Sequence, residues 1–458
     1  MENLSTQTLP WNVYQKIAFR FVFIYFILFI VFLDWSVNSI LSYIYYDGHL
    51  SDLLDVIISW VGKHVFHIPY TIVSPYDGQH NDRTYVYLLY FTLSAAAVLG
   101  TIVWSAWDKK RSNYETLYYW LTTIVRYYIA FTLFIFALEK FFKMQFPDLG
   151  FYTLTQPVGD MSPMSLAWAF FGYSYGYNIF MGIAESAALL LLFRRTMTLG
   201  ALLTLAALAN VIAVNYNYDL HAKMYPTALF MMTFFLLLHD AHRLFKIFFF
   251  GQAIAIPVIK APVFKKRWMN ISKTLLKYLV IGFYILLPLY GYWDYRKQLD
   301  TPNPKSKISG VYDIDAFVLD QDTLSNEDPL RWHQLVIGGR WIEGIRFKGD
   351  SIAFIVVSAD KKEILVSGDQ TDLAIKMQEI HDEQGIDLWD KKMDSILVAR
   401  QLESRLHFEL SDSITLKLKG KIRNDSVFII AKRRPLDIKS FRLMKRGFHW
   451  VNESSYVY

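Results

Sequence analysis

The sequence predicts a multi-pass α-helical membrane bundle followed by an extracytoplasmic antiparallel β-barrel or sandwich domain. The 458-residue chain is 53% hydrophobic and 17% aromatic, which is too apolar for an ordinary soluble protein. At 19% charged residues it is also too polar to consist of membrane helices alone. The long apolar runs end near residue 293, and short alternating segments follow them. Two domains of different character are the simplest interpretation.

Seven apolar runs in the first part are each close to the roughly 20 residues that cross a bilayer. They are residues 17–33, 84–107, 116–142, 165–193, 197–215, 225–242 and 275–293. Another segment, 50–67, has one apolar face but is too polar to span, so it predicts a helix at the membrane surface. His64 and His67 on it have a spacing that suits two metal ligands, but interfacial packing is favoured without a third. Residues 1–293 are therefore predicted to form a helical domain of about seven spans.

Basic residues predict the orientation of this domain. They exceed acidic residues before about residue 300 and are nearly balanced by them afterwards. They concentrate at 109–111, at 194–195 and between 243 and 277, which are loops on one side of the predicted membrane. The positive-inside rule places these loops and the N-terminus in the cytoplasm of, we expect, a bacterial inner membrane. After seven crossings the C-terminal domain lies outside.

The C-terminal part has the pattern of β-structure. Residues 294–308 are polar and contain prolines, which predicts a linker. From 309 to 458 short segments alternate between apolar and polar residues, as in "ITLKLKG" at 414–420. One stretch, 371–383, predicts a helix. Many short strands separated by turn signals are typical of an antiparallel barrel or sandwich.

Charged residues lie inside two of the predicted spans. Arg126 and Lys140 share one stripe of the third run, about 21 Å apart along a helix. Lys143 is expected to extend to the outer surface. Glu185 lies deep in the fourth run, where a carboxylate must be protonated or paired, and Arg126 is its expected partner. A purely structural ion pair and a functional site remain equal alternatives, as do an anchoring and a functional role for Arg126.

Further polar residues converge at the outer ends of the predicted spans. Asn210 and Asn217 share a face of the fifth run, and Asp219 and Lys223 follow it. Asp160 lies just outside the start of the fourth run. Interhelical hydrogen bonds or a solvated rim would also account for such residues. Their common level instead favours a polar shaft that opens outward, built from Arg126, Lys140, Asp160, Glu185, Asn210, Asn217, Asp219 and Lys223.

The core from 108 to 246 resembles the DoxX-like membrane proteins and, more distantly, the transmembrane domain of vitamin K-dependent carboxylases. Three segments carry the resemblance: "VRYYIAFTLFIFALEKFF", "GIAESAALLLLFRRTMTLGALL" and "NVIAVNYNYDLHAKMYPTAL". It implies a four-helix bundle associated with quinone-linked oxidoreductases, whose arginine, lysine and glutamate correspond to Arg126, Lys140 and Glu185. The additional spans and the β domain depart from the minimal bundle. The stretch from "SGVYDIDAF" to "RLMKRGFHWVNE" is similar to a lipocalin-like barrel.

These observations together predict a redox-associated membrane protein that binds a quinone or a similar lipid-soluble ring. Lys140, Glu185, Asp219 and Lys223 are the predicted catalytic residues, and Arg126, Asp160, Asn210 and Asn217 the predicted cofactor-binding residues. A basic side chain would hydrogen-bond the ring oxygen and a carboxylate would carry its proton. Because no cofactor motif supplies electrons, a separate redox protein is the expected partner.

Other chemistries find less support in the sequence. The chain has no cysteine, which excludes disulfides and thiolate sites, and its charge pattern favours membrane topology over nucleic-acid binding. It has no phosphate-binding glycine loop and no H-E-x-x-H zinc motif, and no metal site is predicted. The alternative function is a non-catalytic protein whose outer β domain binds lipid or an envelope partner. A transporter is less favoured because no inverted repeat is visible.

Overall fold

A computed structural model describes residues 10–33, 50–70, 72, 82–256, 264, 266–300, 307–338, 344–347, 352–358, 362–367, 404–422 and 425–445. The chain divides into two compact units. The first comprises Met1–Phe146 and Ser174–Lys297 and is helical. The second comprises Pro147–Tyr173 and Gln298–Tyr458 and contains the β-sheet. The second unit is therefore discontinuous in sequence.

The helices follow the apolar runs of the sequence. They are α1 (Val13–Leu33), α2 (Leu50–His64), α3 (Thr84–Trp107), α4 (Glu115–Phe141), α5 (Phe151–Thr155), α6 (Pro163–Tyr173), α7 (Tyr175–Ser186), α8 (Met197–Asn217), α9 (Met224–Leu238), α10 (Ala241–Phe250) and α11 (Arg267–Asp300). A 3-10 segment, Ala187–Leu192, continues α7. The most deeply buried of the long helices is α4, which places its polar residues in the interior of the helical unit.

Within the part of the chain that the structure describes, six helices are long and apolar enough to cross a membrane: α1, α3, α4, α7 with its 3-10 extension, α8 and α11. Helices α9 and α10 would make a seventh if this pair, bent by 80°, were one span. The fourth predicted run, 165–193, is not one helix. It is interrupted at Ser174, whose backbone is extended and whose hydroxyl accepts a hydrogen bond from the Tyr177 N–H. A capping serine thus starts a new helix inside an apolar run, and hydropathy alone does not reveal it.

Among its described residues the second unit contains nine strands in one antiparallel sheet. They are β1 (Gly310–Leu319), β2 (Asp322–Thr323), β3 (Trp332–Ile337), β4 (Gly344–Phe347), β5 (Ile352–Ser358), β6 (Glu363–Ser367), β7 (Ser404–Leu410), β8 (Thr415–Ile422) and β9 (Asp425–Arg433). From β3 to β9 each strand pairs with the next in sequence, and β1 pairs with β2, β3 and β9. The sheet therefore curls as in a barrel, which confirms the predicted antiparallel β domain.

The inner face of the sheet is apolar, as its alternation predicts. Leu416 and Leu418 of β8 are fully buried, while Lys417 and Lys419 between them are exposed. Neighbouring strands add further buried side chains, namely Tyr312, Phe317, Trp332, Leu335, Ile337, Ile345, Ile364, Leu406, Val427, Ile429 and Ala431. Each contributes roughly 1.5–3 kcal/mol if a large apolar side chain is fully removed from water.

The helical segment 147–173 belongs to the same unit as the sheet. The Arg346 guanidinium on β4 donates to the carbonyl oxygens of Tyr152 and Thr155, each at 2.9 Å. Phe151 packs against Val311 and Val336, which lie on the face of the sheet opposite to its main core. Two charge-assisted hydrogen bonds and this small apolar cluster bind the segment to the sheet.

Helix α11 extends into the predicted linker 294–308. The polar residues 294–300 were expected in a linker, but they form the last turns of α11, because neither proline nor glycine occurs between Gly291 and Pro302. Lys297 in the last turn also suits the negative end of the helix dipole. The helix predicted at 371–383 lies outside the described residues.

Candidate functional site

A buried ion pair joins α4 to α7. Lys140 Nζ lies 2.8 Å from Glu185 Oε2, and the two side chains are only 5% and 4% exposed. Lys140 also donates a hydrogen bond of 2.8 Å to Gln145 Oε1 in the turn after α4. Close packing of the helices makes the pairing possible, since Gly182 on α7 lies directly against the Phe141 ring. Lys140 and Glu185 both belong to the predicted polar shaft, and the structure brings these two into direct contact.

A cavity of about 670 Å³ lies beside this pair, between α4, the turn that follows it and α11. Its lining residues are Ile135, Glu139, Met144, Gln145, Leu287, Pro288, Tyr290, Gly291, Tyr292 and Tyr295. Gln145 belongs to both features, because it lines the cavity and accepts the hydrogen bond from Lys140. The Tyr292 hydroxyl donates to Glu139 Oε1 at 3.2 Å. Apolar walls with a few polar groups at this volume are typical of small-molecule sites.

Arg126 has a different role from the one predicted. Its Nε donates to the Leu191 carbonyl at 2.8 Å and its Nη2 to the Leu192 carbonyl at 3.5 Å. These carbonyls close the 3-10 segment after α7, where a helix end leaves acceptors without backbone partners. The predicted Arg126–Glu185 pair is therefore wrong. Arg126 and Lys140 are about 21 Å apart along α4. Glu185 pairs with Lys140.

Asp219 and Lys223 form a separate cluster at the turn between α8 and α9. Lys223 Nζ lies 2.7 Å from Asp219 Oδ1 and 3.8 Å from Asp82 Oδ2. Asp82 also accepts the backbone N–H groups of Lys223 and Met224, at 2.7 and 3.1 Å, where α9 begins. The hydrogen bond from Lys223 lowers the pKa of Asp219, and the same bond raises the pKa of Lys223. This cluster therefore caps the start of α9.

The remaining predicted residues do not join either cluster. Asn210 and Asn217 are exposed, and Asn217 donates to the Ala213 carbonyl of its own helix at 2.7 Å. Asp160 is exposed and belongs to the second unit. Among the described residues the buried asparagines are Asn178 and Asn215. The spacing of Asn210 and Asn217 predicted that they share a face of α8. The buried face of this helix carries Asn215 instead.

Lys143 was predicted to extend to the outer surface and is instead 7% exposed. The backbone at this residue has a φ of 53°, so the chain turns here and does not continue the helix outward. The prediction of an exposed anchor is therefore wrong.

Several buried polar residues were missed by sequence reasoning. Arg20 of α1 is 5% exposed and donates to the Tyr114 hydroxyl and to Ser105 Oγ. Asp240 is 1% exposed and accepts hydrogen bonds from Thr198 Oγ1 and Arg243. A single charge within an apolar run was the available signal for Arg20. For the cavity residues Gln145 and Tyr292 the sequence gives no signal, because their proximity depends on packing of α11.

Within the part of the chain that the structure describes, no group of three histidine, aspartate or glutamate side chains could hold a metal ion. On α2 the His64 ring contacts Trp60, with ring centroids 5.2 Å apart. This ring contact is consistent with packing of the His64 side chain against Trp60.

Fold and site together define a class of protein with several membrane-span-like helices, a buried ion pair among them and a curled antiparallel sheet at the C-terminal end. The uncharacterized protein YwoB of Bacillus subtilis strain 168 is 35% identical to this chain over 124 residues, which are 27% of this chain and 79% of YwoB. The chain belongs to the same family as YwoB. No protein-family model matches the chain, and no solved structure matches it. The DoxX-like resemblance stays a prediction.

Proposed function

We propose that the protein is an integral membrane protein that binds a quinone or a similar lipid-soluble ring in the cavity beside Lys140 and Glu185. One observation carries the proposal: a buried ion pair is connected through Gln145 to a cavity of about 670 Å³ with mixed polar and apolar walls. Buried charges among apolar helices are expensive, and they are characteristic of functional sites in membrane proteins.

The lining residues suit the chemistry of a quinone. Ile135, Leu287 and Pro288 offer apolar surface to a flat ring and its tail, while the Gln145 amide N–H can donate to a ring carbonyl oxygen. The Tyr292 hydroxyl donates to Glu139 and so orients that carboxylate. The Glu139 carboxylate can exchange a proton at such an oxygen. Reduction of a quinone to a quinol takes up two electrons and two protons, and a separate redox protein would supply the electrons. In this arrangement Lys140 and Glu185 position Gln145.

The proposed membrane placement has the N-terminus in the cytoplasm and the sheet outside a bacterial inner membrane. The six candidate spans and the bent pair α9–α10 support it, as does the basic excess of alternate loops. The resemblance to DoxX-like proteins also supports the proposal, since its lysine and glutamate correspond to the two residues of the buried pair.

The alternative, in which the β domain binds an amphiphile, has weaker support. A lipocalin-like site requires space within the barrel, but the described part of the sheet has an inner face of closely packed, buried side chains such as Phe317, Trp332 and Leu418. That alternative is therefore restricted to the outer surface of the sheet.

The test is mass spectrometry of organic extracts from the full chain purified in mild detergent. We expect a near-stoichiometric quinone in the wild type and its loss in Glu139→Gln and in Tyr292→Phe. Each substitution removes a hydrogen bond that the site needs. Such a loss costs about 0.5–1.5 kcal/mol, which lowers the affinity for the ring by up to about tenfold. Glu115→Gln is the matched control, because Glu115 lies exposed at the other end of the same helix. Bulk lipid alone in every variant, wild type included, would overturn the proposal.

A further inference from the structure

Helix α10 departs sharply from the helix before it. It begins after Leu238 and is bent by 80° from α9. Asp240 at the bend is buried and accepts hydrogen bonds from Thr198 Oγ1 at 3.0 Å and from Arg243 at 3.1 Å. These bonds attach the first turn of α10 to α8 and fix the change of direction.

The two faces of α10 differ strongly in chemistry. At 100° per residue, Phe245, Phe248 and Phe249 lie within an arc of about 100°. They are 51%, 67% and 74% exposed. His242, Arg243 and Lys246 occupy an adjoining arc of similar width, which Phe250 enters only at the last residue of the helix. An exposed phenylalanine face bordered by basic residues is the pattern of a helix that lies in a membrane–water interface.

The charge around α10 identifies the surface that would cover it. Between residues 241 and 293 the sequence contains eight lysine and arginine residues and no aspartate or glutamate. Such a segment complements an anionic layer, and the negative leaflet of a bilayer combines that charge with an apolar interior for the phenylalanines.

We propose that α10 lies in the cytoplasmic interface of the membrane, with its phenylalanines among the acyl chains and its basic residues on the phosphates of anionic lipids. The inference rests on the proposal that α9 is the part of the bent pair α9–α10 that crosses the membrane. It adds a lipid-binding surface that is distinct from the cavity beside Lys140.

Because the chain has no cysteine, a single introduced cysteine is the only labelling site. Phe248→Cys reports the apolar face of α10, His242→Cys its polar face and Met231→Cys the exposed side of α9. Each full-length variant is spin-labelled and reconstituted in vesicles of phosphatidylcholine and phosphatidylglycerol. Accessibility to oxygen, which enters the bilayer, is then compared with accessibility to a water-soluble nickel chelate.

We expect labels at 231 and 248 to favour oxygen and the label at 242 to favour the chelate. A label at 248 that favours the chelate, or that is shielded from both reagents by protein, overturns the inference while the spanning helix stands. If the label at 231 also favours the chelate, the proposal that α9 crosses the membrane fails as well. The two failures are therefore distinguishable.

The preference for anionic lipid is tested separately by native mass spectrometry of lipid binding to the full chain. Lys246→Gln should lower the apparent affinity for phosphatidylglycerol about 5-fold, with phosphatidylcholine unchanged, since one basic residue near an anionic surface contributes about that factor. Lys419→Gln, an equal charge change on the exposed face of β8, is the control. Equal affinities in Lys246→Gln and the control would contradict the assignment of anionic lipid.

Discussion

Lys140 and Glu185 are each almost completely removed from solvent, so each depends on the other. Transfer of either charge from water is costly, and the 2.8 Å contact and the hydrogen bond to Gln145 offset that cost. A pair of this kind adds little to the net stability of the protein, because well-packed apolar residues of similar volume can replace both partners with little loss of stability. Its presence instead indicates which residues of α4 and α7 must meet.

Replacing one residue of the pair should therefore destabilise the protein more than replacing both. In Lys140→Met the Glu185 carboxylate stays buried without its cation, and we expect a loss of about 3–5 kcal/mol in the free energy of unfolding. The double variant Lys140→Met, Glu185→Met should regain much of this loss. Unfolding of the purified protein in mixed micelles measures both. Losses that simply add in the double variant would argue against direct coupling.

Sequence reasoning at this scale identified the charged residues but not all of their partners. The stripe on α4 contains Arg126 and Lys140, and both side chains are buried. The prediction that Arg126 meets Glu185 was wrong, since the partner depends on how far α7 is shifted along α4. Glu139 and Tyr292 were missed because their contact joins residues 153 positions apart.

At the scale of elements, contact between α4 and α7 depends on a glycine. A Cβ added at Gly182 would lie 2.5 Å from the Phe141 ring, which is closer than such atoms approach. The absence of a side chain at this position lets the two helices come near enough for the lysine and the glutamate to meet.

Gly182→Ala should therefore destabilise the helical unit by about 1–3 kcal/mol through overpacking. Gly176→Ala on the same helix is the control, because the nearest atom to an added Cβ is Ser174 Oγ at 4.0 Å. There the gain in helix propensity should make the change neutral or stabilising by up to about 1 kcal/mol. Thermal unfolding in detergent compares the variants, and equal shifts would contradict the packing argument.

The turn between β7 and β8 makes a pH-dependent contribution to the stability of the fold. Hydrogen bonds from the backbone N–H groups of Ile414 and Thr415 lower the pKa of Asp412 below its usual value of 3.8. A lowered pKa in the folded state stabilises the fold above the unfolded-state pKa, and this stabilisation is lost as the pH falls through the folded-state value.

Protection of residues 404–422 from hydrogen exchange should accordingly weaken as the pH falls below about 4. In Asp412→Asn, which cannot titrate, the protection factors should depend less on pH over the same range. The control is Asp425→Asn, which removes another carboxylate at a hairpin turn. A wild-type profile identical to that of Asp412→Asn would rule out this contribution.

The order of elements followed from the sequence for physical reasons. Apolar runs near 20 residues and period-two alternation are local signals, and they located α3, α4, α8 and strands such as β8. The division of the run 165–193 depended on one serine cap, and the 80° bend after Leu238 depended on hydrogen bonds to Asp240. Such breaks are decided by single polar side chains, which hydropathy averages out.

For the whole molecule, the two units do not coincide with two continuous stretches of chain. Residues 147–173 lie between α4 and α7 in sequence yet belong to the unit of the sheet. The sequence predicted a boundary near residue 300, because composition changes there. It could not predict this earlier segment, whose attachment depends on Arg346 and on the apolar cluster around Phe151.

Arg346→Met should release this segment from the sheet. Two hydrogen bonds to backbone carbonyls are lost, and we expect amide exchange in 151–155 to become about tenfold faster or more. Exchange in α4 should not change, since α4 belongs to the other unit. The control is Arg434→Met, because Arg434 pairs with the partly exposed Asp313. Unaltered exchange in 151–155 would show that the apolar cluster alone holds the segment.

This discontinuity has a consequence for synthesis on the ribosome. Phe151–Thr155 emerges about 270 residues before β9, the strand that pairs with β1 to complete the curled sheet. At about 5–20 residues per second the delay is on the order of tens of seconds. Until β1, β3 and β4 have been made, Phe151 and its neighbours lack the strands that they pack against. A nascent chain of this protein is therefore most exposed to misassembly midway through translation, when its helices are made and its last strands are not.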